Sequence, residues 1–267
     1  MVKSVLTVRG NAEAKRITAF IRRVTLKSGA DGLVIALSGG VDSSVVGALC
    51  VRALGKEKVL GVLMPSDHTP KRDMEDATRL VNMWGIRSIT VPISPIVELL
   101  ISAAGPVNVK LARANVQARV RMTVLYYLAN SRNLLVAGTG DRSEELLGYF
   151  TKHGDGGVDL LPIAHLYKTQ VRLLGEHLGL PPEICSKPSS PQLWPGQTAE
   201  EELPASYEKL DLFMHYLFDV ETSAAIASGK AGVSRAVAKK ILRMHAKTAH
   251  KRELPLSLVK SSYRLTP

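Results

Sequence analysis

A glycine- and serine-rich turn, residues 38–44 with the sequence SGGVDSS, carries the residue types best suited to chemistry in this chain. It follows an apolar run at 33–37, typical of a buried parallel strand, and it precedes an amphipathic helix. Glycines let an anion approach the backbone closely, and the free N–H groups of a first helical turn point at that anion. Serine hydroxyls add further donors. The turn therefore predicts a phosphate-binding site.

Asp42 is the unexpected member of this turn, because a carboxylate repels phosphates. Its presence makes sense if a divalent cation lies between them, since hard cations bind carboxylate and phosphate oxygens. A second acid at a neighbouring strand end could share such a cation with Asp42. The alternative is a serine-rich helix cap with a solvated acid. Two glycines, an acid and three serines within one turn favour the phosphate site.

Two better-known nucleotide motifs are absent from the sequence. The common P-loop, G-x-x-x-x-G-K-[ST], needs a lysine that residues 38–44 lack. The tripeptide GTG at 138–140 begins like a dinucleotide fingerprint, but Ser143 stands where that fingerprint has its third glycine. We therefore reject a Rossmann-type hydride-transfer site.

Composition limits the classes of protein to consider. The 267 residues are 45% hydrophobic and 22% charged, and no apolar run approaches the roughly 20 residues that a membrane helix needs. Cys50 and Cys185 lie far apart, which argues against a zinc ribbon, an iron–sulfur site or a disulfide framework. The polar N-terminus does not resemble a signal peptide. These features predict a cytoplasmic protein without a membrane partner.

The net charge of +11 attracts polyanions, so it fits a nucleotide or RNA substrate as well as it fits a merely basic surface. The sequence has no block of like charge and no alternation of aromatic and basic residues that would mark a nucleic-acid face. We therefore predict small-molecule substrates and no nucleic-acid partner.

The order of the predicted elements indicates how the polar turns are positioned. Apolar strands at 33–37, 59–64, 88–91 and 134–137 alternate with helices at 11–27, 69–84, 95–103 and 108–130. This alternation predicts an α/β fold, a Rossmann-like doubly wound parallel sheet with helices on both faces. Because ligands bind at the carboxyl ends of such strands, the turns at Ser38, Pro65 and Gly138 should lie together.

The second half of the chain is more irregular. Residues 151–159 are glycine-rich and polar, and a helix is predicted at 167–178. Residues 187–204 contain four prolines, which predicts a long irregular lid with little structure of its own. A helical C-terminal part at about 206–250 should complete a single domain, 1–267. The helix at 108–130 is apolar on most sides, so it should lie in the core or against the partner in a homodimer.

Taken together, the motifs resemble those of the ammonia-dependent NAD synthetases, in the superfamily of PP-loop ATP pyrophosphatases (adenine nucleotide alpha hydrolase-like fold). Besides residues 38–44, they are ARVRM at 118–122, GTG at 138–140, SE at 143–144, GYFTKHGDGGVD at 148–159, LYKTQVR at 166–172, LWPGQT at 193–198 and HKR at 250–252. The resemblance covers nearly the whole chain, and the block ending at Asp159 is its most specific part. It implies ATP-dependent amidation of deamido-NAD to NAD with ammonia, through an acyl-adenylate, with release of AMP and pyrophosphate.

The resemblance also implies roles for individual residues. Asp42 and Glu144 would bind Mg²⁺, and with Lys168 they would form the catalytic set. The ATP-binding residues would be Ser38, Gly39, Gly40, Asp42, Ser43, Ser44, Thr139, Lys168 and Ser190. The deamido-NAD-binding residues would be Arg119, Lys152, Asp159, His250 and Lys251.

Some alternatives stay open from the sequence. Lys168 could be a solvated helix residue, Arg119 a structural salt-bridge partner, and Lys152 and Asp159 loop solubilisers. The chain could be a tRNA-modifying PP-loop enzyme, although it lacks C-x-x-C pairs, or a non-catalytic nucleotide sensor. Ala199 replaces an aspartate that the family usually has within the predicted lid.

Overall fold

The computed structural model describes residues 5–253. Its centre is a sheet of four parallel strands, β1 (Gly32–Ala36), β2 (Val59–Leu63), β3 (Arg87–Thr90) and β4 (Leu134–Ala137), in the order β3-β2-β1-β4. Val34 pairs with Leu60 on one side and with Val136 on the other. Leu160 adds an isolated parallel bridge to Ala137. The predicted parallel α/β sheet is thus confirmed, and the predicted domain 1–267 extends beyond the described residues at both ends.

Helices flank and extend this sheet. They are α1 (Gly10–Ser28), α2 (Val41–Leu54), α3 (Lys71–Trp84), α4 (Ser94–Ala104), α5 (Lys110–Asn130), α6 (Arg142–Leu147), α7 (Lys168–His177), α8 (Pro182–Cys185), α9 (Ala199–Glu202), α10 (Tyr207–Met214), α11 (Ala224–Ala231) and α12 (Arg235–Lys247). A π-helical turn, His215–Asp219, continues α10, and short 3-10 helices span Lys56–Lys58 and Ala249–Lys251. None of the helices within residues 5–253 is both long and apolar enough to cross a membrane.

The core has a layer on each face of the sheet because successive strand residues point to opposite sides. Leu33 and Ile35 of β1 pack with residues of α1, α2 and α7, whereas Val34 packs with residues of α4 and α5. A third apolar cluster, which includes Phe213 and Ile241, joins α10, α11 and α12. Because neighbouring strands run parallel, the polar loops that follow β1, β2 and β4 lie at one edge of the sheet, as expected.

Several predicted boundaries differ from those observed. Helix α1 starts after Arg9, one residue before the predicted cap Asn11, and α3 starts at Lys71. Helix α6 was not expected, because a six-residue helix leaves too few apolar positions for a clear period. Helix α5 is buried on one side only, since Leu111 and Tyr127 on it are 61% and 72% exposed.

Candidate active site

The loop between β1 and α2 folds tightly on itself. The hydroxyls of Ser38 and Ser43 lie 3.1 Å apart, and the Gly40 N–H donates to Ser38 Oγ at 3.3 Å. Gly39 has φ +76°, and a Cβ at this position would lie 2.3 Å from the carbonyl oxygen of Asp73. Position 39 therefore requires glycine both for its backbone conformation and for its contact with α3.

Ser43 and Ser44 both donate their hydroxyls to the Gly40 carbonyl, at 3.1 Å and 2.7 Å, and both residues are buried. The Ser44 N–H also donates to this oxygen, at 3.1 Å. The earlier N–H groups of α2 have no acceptor within the helix, as at any helix start. These N–H groups and the hydroxyls of Ser38 and Ser43 are the donors best placed for a phosphate.

Lys168 is the centre of the polar cluster beside this loop. Its Nζ lies 2.7 Å from Asp42 Oδ2, 3.0 Å from Asp141 Oδ2 and 3.0 Å from Glu144 Oε1. Lys168 and Asp141 are fully buried, while the side chains of Asp42 and Glu144 are each 21% exposed. The structure thus brings together the three predicted catalytic residues and adds a third acid.

Charge balance decides the protonation of this cluster. Burial alone would lower the pKa of Lys168, but Asp141, Asp42 and Glu144 together raise that pKa well above its usual value. The lysine therefore stays a cation. Burial raises the pKa of Glu144, and the neighbouring acids raise it further, against the opposing effect of Lys168. Three acids thus share one ammonium, and a second cation beside them would favour their ionised forms.

The donor set fits Mg²⁺. Asp42 Oδ1 is buried and has no hydrogen-bond partner among the residues that the structure describes. Within residues 5–253, no group of three His, Cys, Asp or Glu side chains is arranged to hold a metal unaided. Magnesium commonly takes one or two carboxylates and completes its shell with water and substrate phosphates. Asp42 and Glu144, beside a phosphate loop, match that requirement.

Two backbone features hold the cluster in place. Asp141 caps α6 by accepting the Glu144 N–H at 2.8 Å, and the Glu144 carboxylate accepts the Asp141 N–H at 3.4 Å, which forms a capping box. At the start of α7, the Lys168 N–H donates to Ser143 Oγ at 2.9 Å. Lys168 and Glu144 are thus fixed through the beginnings of two helices that touch each other.

Asp211 of α10 lies beneath this junction and is fully buried. It accepts the Ser143 hydroxyl at 2.6 Å and the Thr169 N–H at 2.9 Å. It thereby connects the helical C-terminal part to the catalytic cluster. No sequence pattern marks Asp211 for this role, whereas the D-x-x-E spacing of Asp141 and Glu144 is a recognisable capping box.

We expect Asp211→Asn to change how stability depends on pH. Burial raises the pKa of Asp211 from 3.8 to about 7, against the opposing effect of its two hydrogen bonds. Between these values the folded protein binds more protons than the unfolded chain, so Asp211 makes the wild type less stable as pH rises through the window. Asparagine cannot titrate, so its stability relative to wild type should improve by on the order of 1 kcal/mol or more from pH 5 to pH 8.

Thermal melts of both proteins at these two pH values would measure this change. The contributions of titrating groups that do not interact with Asp211 cancel in the difference between variant and wild type. A difference that stays constant with pH would show that Asp211 does not titrate in this window.

The other two predicted ATP-binding residues lie on flanking loops. Thr139 is half-buried in the loop after β4, two residues before Asp141. Ser190 Oγ donates to the Gln197 carbonyl at 2.5 Å and accepts the Gln192 N–H at 3.1 Å. The Ser190 hydroxyl thus organises its own loop in this structure.

Four of the five residues expected to bind deamido-NAD surround the loop at 148–152. Lys152 Nζ donates to the His250 carbonyl at 2.6 Å, and Arg119 donates to the Lys152 carbonyl at 3.4 Å. Lys251 Nζ donates to the Gly148 carbonyl at 2.7 Å. These contacts connect α5, the loop and the end of the helical C-terminal part into one basic surface.

Asp159 has separate partners. Its Oδ2 accepts the Val136 N–H of β4 at 2.7 Å, and its Oδ1 accepts the Tyr126 hydroxyl at 3.0 Å. Asp159 is nevertheless exposed at the sheet edge. Its contacts hold the loop against the sheet, and hydrogen bonds do not join it to the other four residues.

The segment at 187–204 is better ordered than its prolines suggested. Gln197 Oε1 accepts the Leu193 N–H at 2.9 Å, and Gln197 Nε2 donates to Glu202 at 2.8 Å. The Leu193 carbonyl accepts from Gln117 of α5 at 2.9 Å, and the Ala199 N–H donates to the Ser189 carbonyl at 2.9 Å. Outside the short helix α9 the segment is irregular, as expected, and buried amide side chains hold it in place of regular backbone pairing.

Comparison with known proteins places this geometry in a family. The family model described as NAD synthase matches residues 13–255. The NH(3)-dependent NAD(+) synthetase of Hyperthermus butylicus is 50% identical over 243 residues, which cover 91% of this chain and 88% of the relative. That of Pyrobaculum aerophilum is 52% identical over 207 residues, 77% of each chain.

Two solved structures share this fold. The structure of NMN synthetase from Francisella tularensis superposes with a TM-score of 0.84 at 33% identity, covering 94% of this chain and 99% of that one. The NH3-dependent NAD synthetase from Campylobacter jejuni, in complex with nitrate, superposes with a TM-score of 0.81 at 28% identity, covering 95% and 100%.

Proposed function

The chain belongs to the NAD synthase family, and on that basis we propose that it is a ligase that converts deamido-NAD, ATP and ammonia into NAD, AMP and pyrophosphate, the final step of NAD biosynthesis. One observation carries the proposal for the site. The buried Lys168 ammonium joins Asp42 of the phosphate loop to Glu144 at the adjacent strand end. An ammonium among carboxylates beside a phosphate loop suits the transfer of a nucleotidyl group.

The reaction has two steps that balance without a nucleophilic side chain. A nicotinate carboxylate oxygen attacks the α-phosphorus of ATP, and the bond to the bridging oxygen breaks to release pyrophosphate. Ammonia then attacks the acyl carbon, AMP leaves with that carboxylate oxygen, and a proton passes to solvent. Because the nucleophiles belong to the substrates, the protein contributes positioning and charge stabilisation.

The residues of the cluster would have separate roles in positioning and charge stabilisation. Bound Mg²⁺, held by Asp42 and Glu144, would neutralise the phosphates and the leaving pyrophosphate. Lys168, kept protonated by its three carboxylates, would lie against the negative charge that grows at the reacting phosphate. The loop donors Ser38 and Ser43 and the N–H groups of α2 would hold the phosphate chain.

We propose that deamido-NAD, whose pyrophosphate is an anion, binds at the basic surface formed by Arg119, Lys152, His250 and Lys251. The three cationic side chains there support this assignment. The carboxylate of Asp159, at the sheet edge, would accept a hydrogen bond from a hydroxyl group of the substrate. Thr139 and Ser190 are proposed to contact ATP from the two loops that flank the cluster.

Purified protein should form equal amounts of NAD, AMP and pyrophosphate from ATP, magnesium, deamido-NAD and ammonium chloride. Omitting deamido-NAD should remove AMP formation. Glutamine should not replace ammonium in a preparation free of glutaminase. Formation of ADP and phosphate would contradict the proposal, and AMP formation that required tRNA would favour the alternative of a tRNA-modifying enzyme.

A second candidate substrate comes from the structural similarity to an NMN synthetase at 33% identity. Amidation of nicotinate mononucleotide uses the same carboxylate chemistry, but the substrate lacks the adenylate half of deamido-NAD. The assay should therefore be repeated with each substrate. We expect deamido-NAD to have the higher kcat/KM, and the reverse preference would identify the mononucleotide as the substrate.

We propose that the enzyme acts as a homodimer through the surface of α4 and α5. Large apolar side chains are exposed there, including Leu99 at 72%, Leu111 at 61% and Tyr127 at 72%. Leu111→Glu places a charge on this surface and should shift the protein to the monomer, because an unpaired charge in an apolar interface is costly.

Light scattering at micromolar concentration measures this shift. Leu26→Glu is the matched control, since Leu26 is 83% exposed on α1, outside the proposed interface. It should leave the dimer intact. A wild-type protein that is monomeric and active would refute the proposed interface.

We also propose that the protein acts in the cytoplasm. Cys50 and Cys185 are both free and buried, which fits a reducing compartment, and ATP is an intracellular substrate.

A further inference from the structure

Lys187, at the start of the segment 187–204, forms a second buried ion cluster beside the phosphate loop. Its Nζ lies 2.7 Å from Asp73 Oδ1 and 2.5 Å from Asp76 Oδ2, both on α3. The three side chains are only 15%, 9% and 10% exposed. Water therefore screens the attraction between these charges only weakly, and this attraction holds the three side chains together.

The third partner of Lys187 is the phosphate loop itself. Nζ donates to the Gly39 carbonyl oxygen at 2.8 Å. An ammonium has three N–H donors, and here the Gly39 carbonyl and the two carboxylates accept all three. Lys187 is therefore fully occupied by the protein in this arrangement and has no proton left to donate to a substrate.

The contact with Gly39 determines where a neighbouring donor points. The Gly39 carbonyl and the Gly40 N–H belong to one planar trans peptide, so they point in opposite directions. When Lys187 holds the carbonyl toward α3, the Gly40 N–H must face the inside of the loop, where Ser38 Oγ lies 3.3 Å away. The positive φ of Gly39, +76°, and its close packing on the Asp73 carbonyl fix the same orientation.

We propose that Lys187 is a positioning residue of the phosphate loop: its ammonium, held by Asp73 and Asp76, fixes the Gly39 carbonyl so that the Gly40 N–H faces the inside of the loop and holds Ser38 Oγ there, where the ATP phosphates would bind. The proposal rests on the proposed function in one respect, that the loop binds ATP. It also connects the loop to the segment 187–204, because Gln192 of that segment donates to the other oxygen of Asp73.

The test measures ATP binding and turnover separately. Lys187→Met should weaken binding of an ATP analogue with a methylene bridge between the α and β phosphorus atoms roughly tenfold, as measured by calorimetry with magnesium. The KM for ATP should rise by a similar factor, while the KM for deamido-NAD should stay within about twofold. Lys187→Arg keeps a cation with several donors and should restore most of the affinity.

Arg79→Met is the matched control. Arg79 of α3 pairs with Glu183 at 2.5 Å, so it joins α3 to α8, the helix that directly precedes the segment 187–204. This exposed pair does not touch the loop, and its loss should leave analogue binding within about twofold of wild type. An equal loss in Arg79→Met and Lys187→Met would reduce Lys187 to a general contact between segments and overturn the proposal.

Lys187→Met leaves two buried carboxylates without their cation, which could destabilise the fold. A further variant controls for this effect. The triple variant Lys187→Met, Asp73→Asn, Asp76→Asn removes all three charges together. It should still bind the analogue roughly tenfold more weakly, since the ammonium that donated to the Gly39 carbonyl is absent and only the backbone packing of Gly39 remains. Wild-type affinity in the triple variant, or its failure to fold, would overturn the proposal.

The result of this binding test can be told apart from the result of the test for NAD synthesis. An inactive wild type that still bound the analogue through Lys187 would contradict NAD synthesis and support this inference. An active wild type whose affinity for the analogue did not depend on Lys187 would do the opposite.

Discussion

Replacing Lys168 by methionine is expected to abolish NAD synthesis and to destabilise the fold. Methionine keeps most of the side-chain volume but removes the ammonium that lies within 3.0 Å of Asp42, Asp141 and Glu144. Removing one partner of a buried ion pair costs about 3–5 kcal/mol, because the remaining charge is left uncompensated. Loss of a cation at the reacting phosphate should also lower kcat by roughly a hundredfold or more.

Two measurements separate these effects. Urea unfolding gives the change in stability, and release of pyrophosphate gives the rate. Adding Asp141→Asn to Lys168→Met removes one buried negative charge, so it should recover part of the stability but none of the activity. Lys71→Met is the control, since Lys71 forms an exposed pair with Glu75 at 3.8 Å and should change stability by at most about 0.5 kcal/mol. A Lys168→Met protein as stable and active as wild type would contradict the central role of the cluster.

Asp42→Asn and Glu144→Gln are each expected to abolish adenylation while leaving the fold intact. Both changes keep the side-chain shape and remove the charge that would bind magnesium. Asp42 Oδ1 has no hydrogen-bond partner within the described residues, so replacing this oxygen breaks no hydrogen bond there. Loss of a metal ligand at the transferring phosphate should reduce pyrophosphate release by roughly a hundredfold to a thousandfold.

The measurement is pyrophosphate release over a range of magnesium concentrations, with circular dichroism to confirm folding. Glu145→Gln is the matched control, because Glu145 is the adjacent acid on α6 and is not among the carboxylates that bind Lys168. It should keep activity and magnesium dependence close to wild type. Full activity of Asp42→Asn or Glu144→Gln with ordinary magnesium dependence would refute the shared-cation site.

The sequence predicted the sheet and the place of the site because both follow from local patterns. Short apolar runs followed by polar turns, after β1 and β4 especially, specify parallel strands whose carboxyl ends meet at one edge. That rule alone brings Asp42 and Glu144 together across about 100 residues of chain. The meeting of Lys168 with both acids came from the family resemblance, since a lone lysine at a helix start has no distinctive pattern.

Other parts of the site could not be predicted because their contacts are made by single residues far apart in sequence. Asp211 stabilises the start of α7 from another helix, 42 residues away from Thr169. Asp73 and Asp76 look like ordinary acids in the first two turns of α3, and only the fold shows that both contact Lys187. The conformation of residues 187–204 likewise depends on hydrogen bonds of the Gln197 side-chain amide, which the periodicity of apolar residues does not predict.

The most direct test of the acyl-adenylate route follows one oxygen atom. Deamido-NAD labelled with oxygen-18 in both carboxylate positions is converted with ATP and ammonium, and the products are examined by mass spectrometry. Attack of the carboxylate on the α-phosphorus, followed by amide formation, predicts one oxygen-18 atom in each AMP, one in the NAD amide and none in pyrophosphate. AMP without label, or label in pyrophosphate, would contradict this route and with it the role assigned to the cluster of Lys168, Asp42 and Glu144.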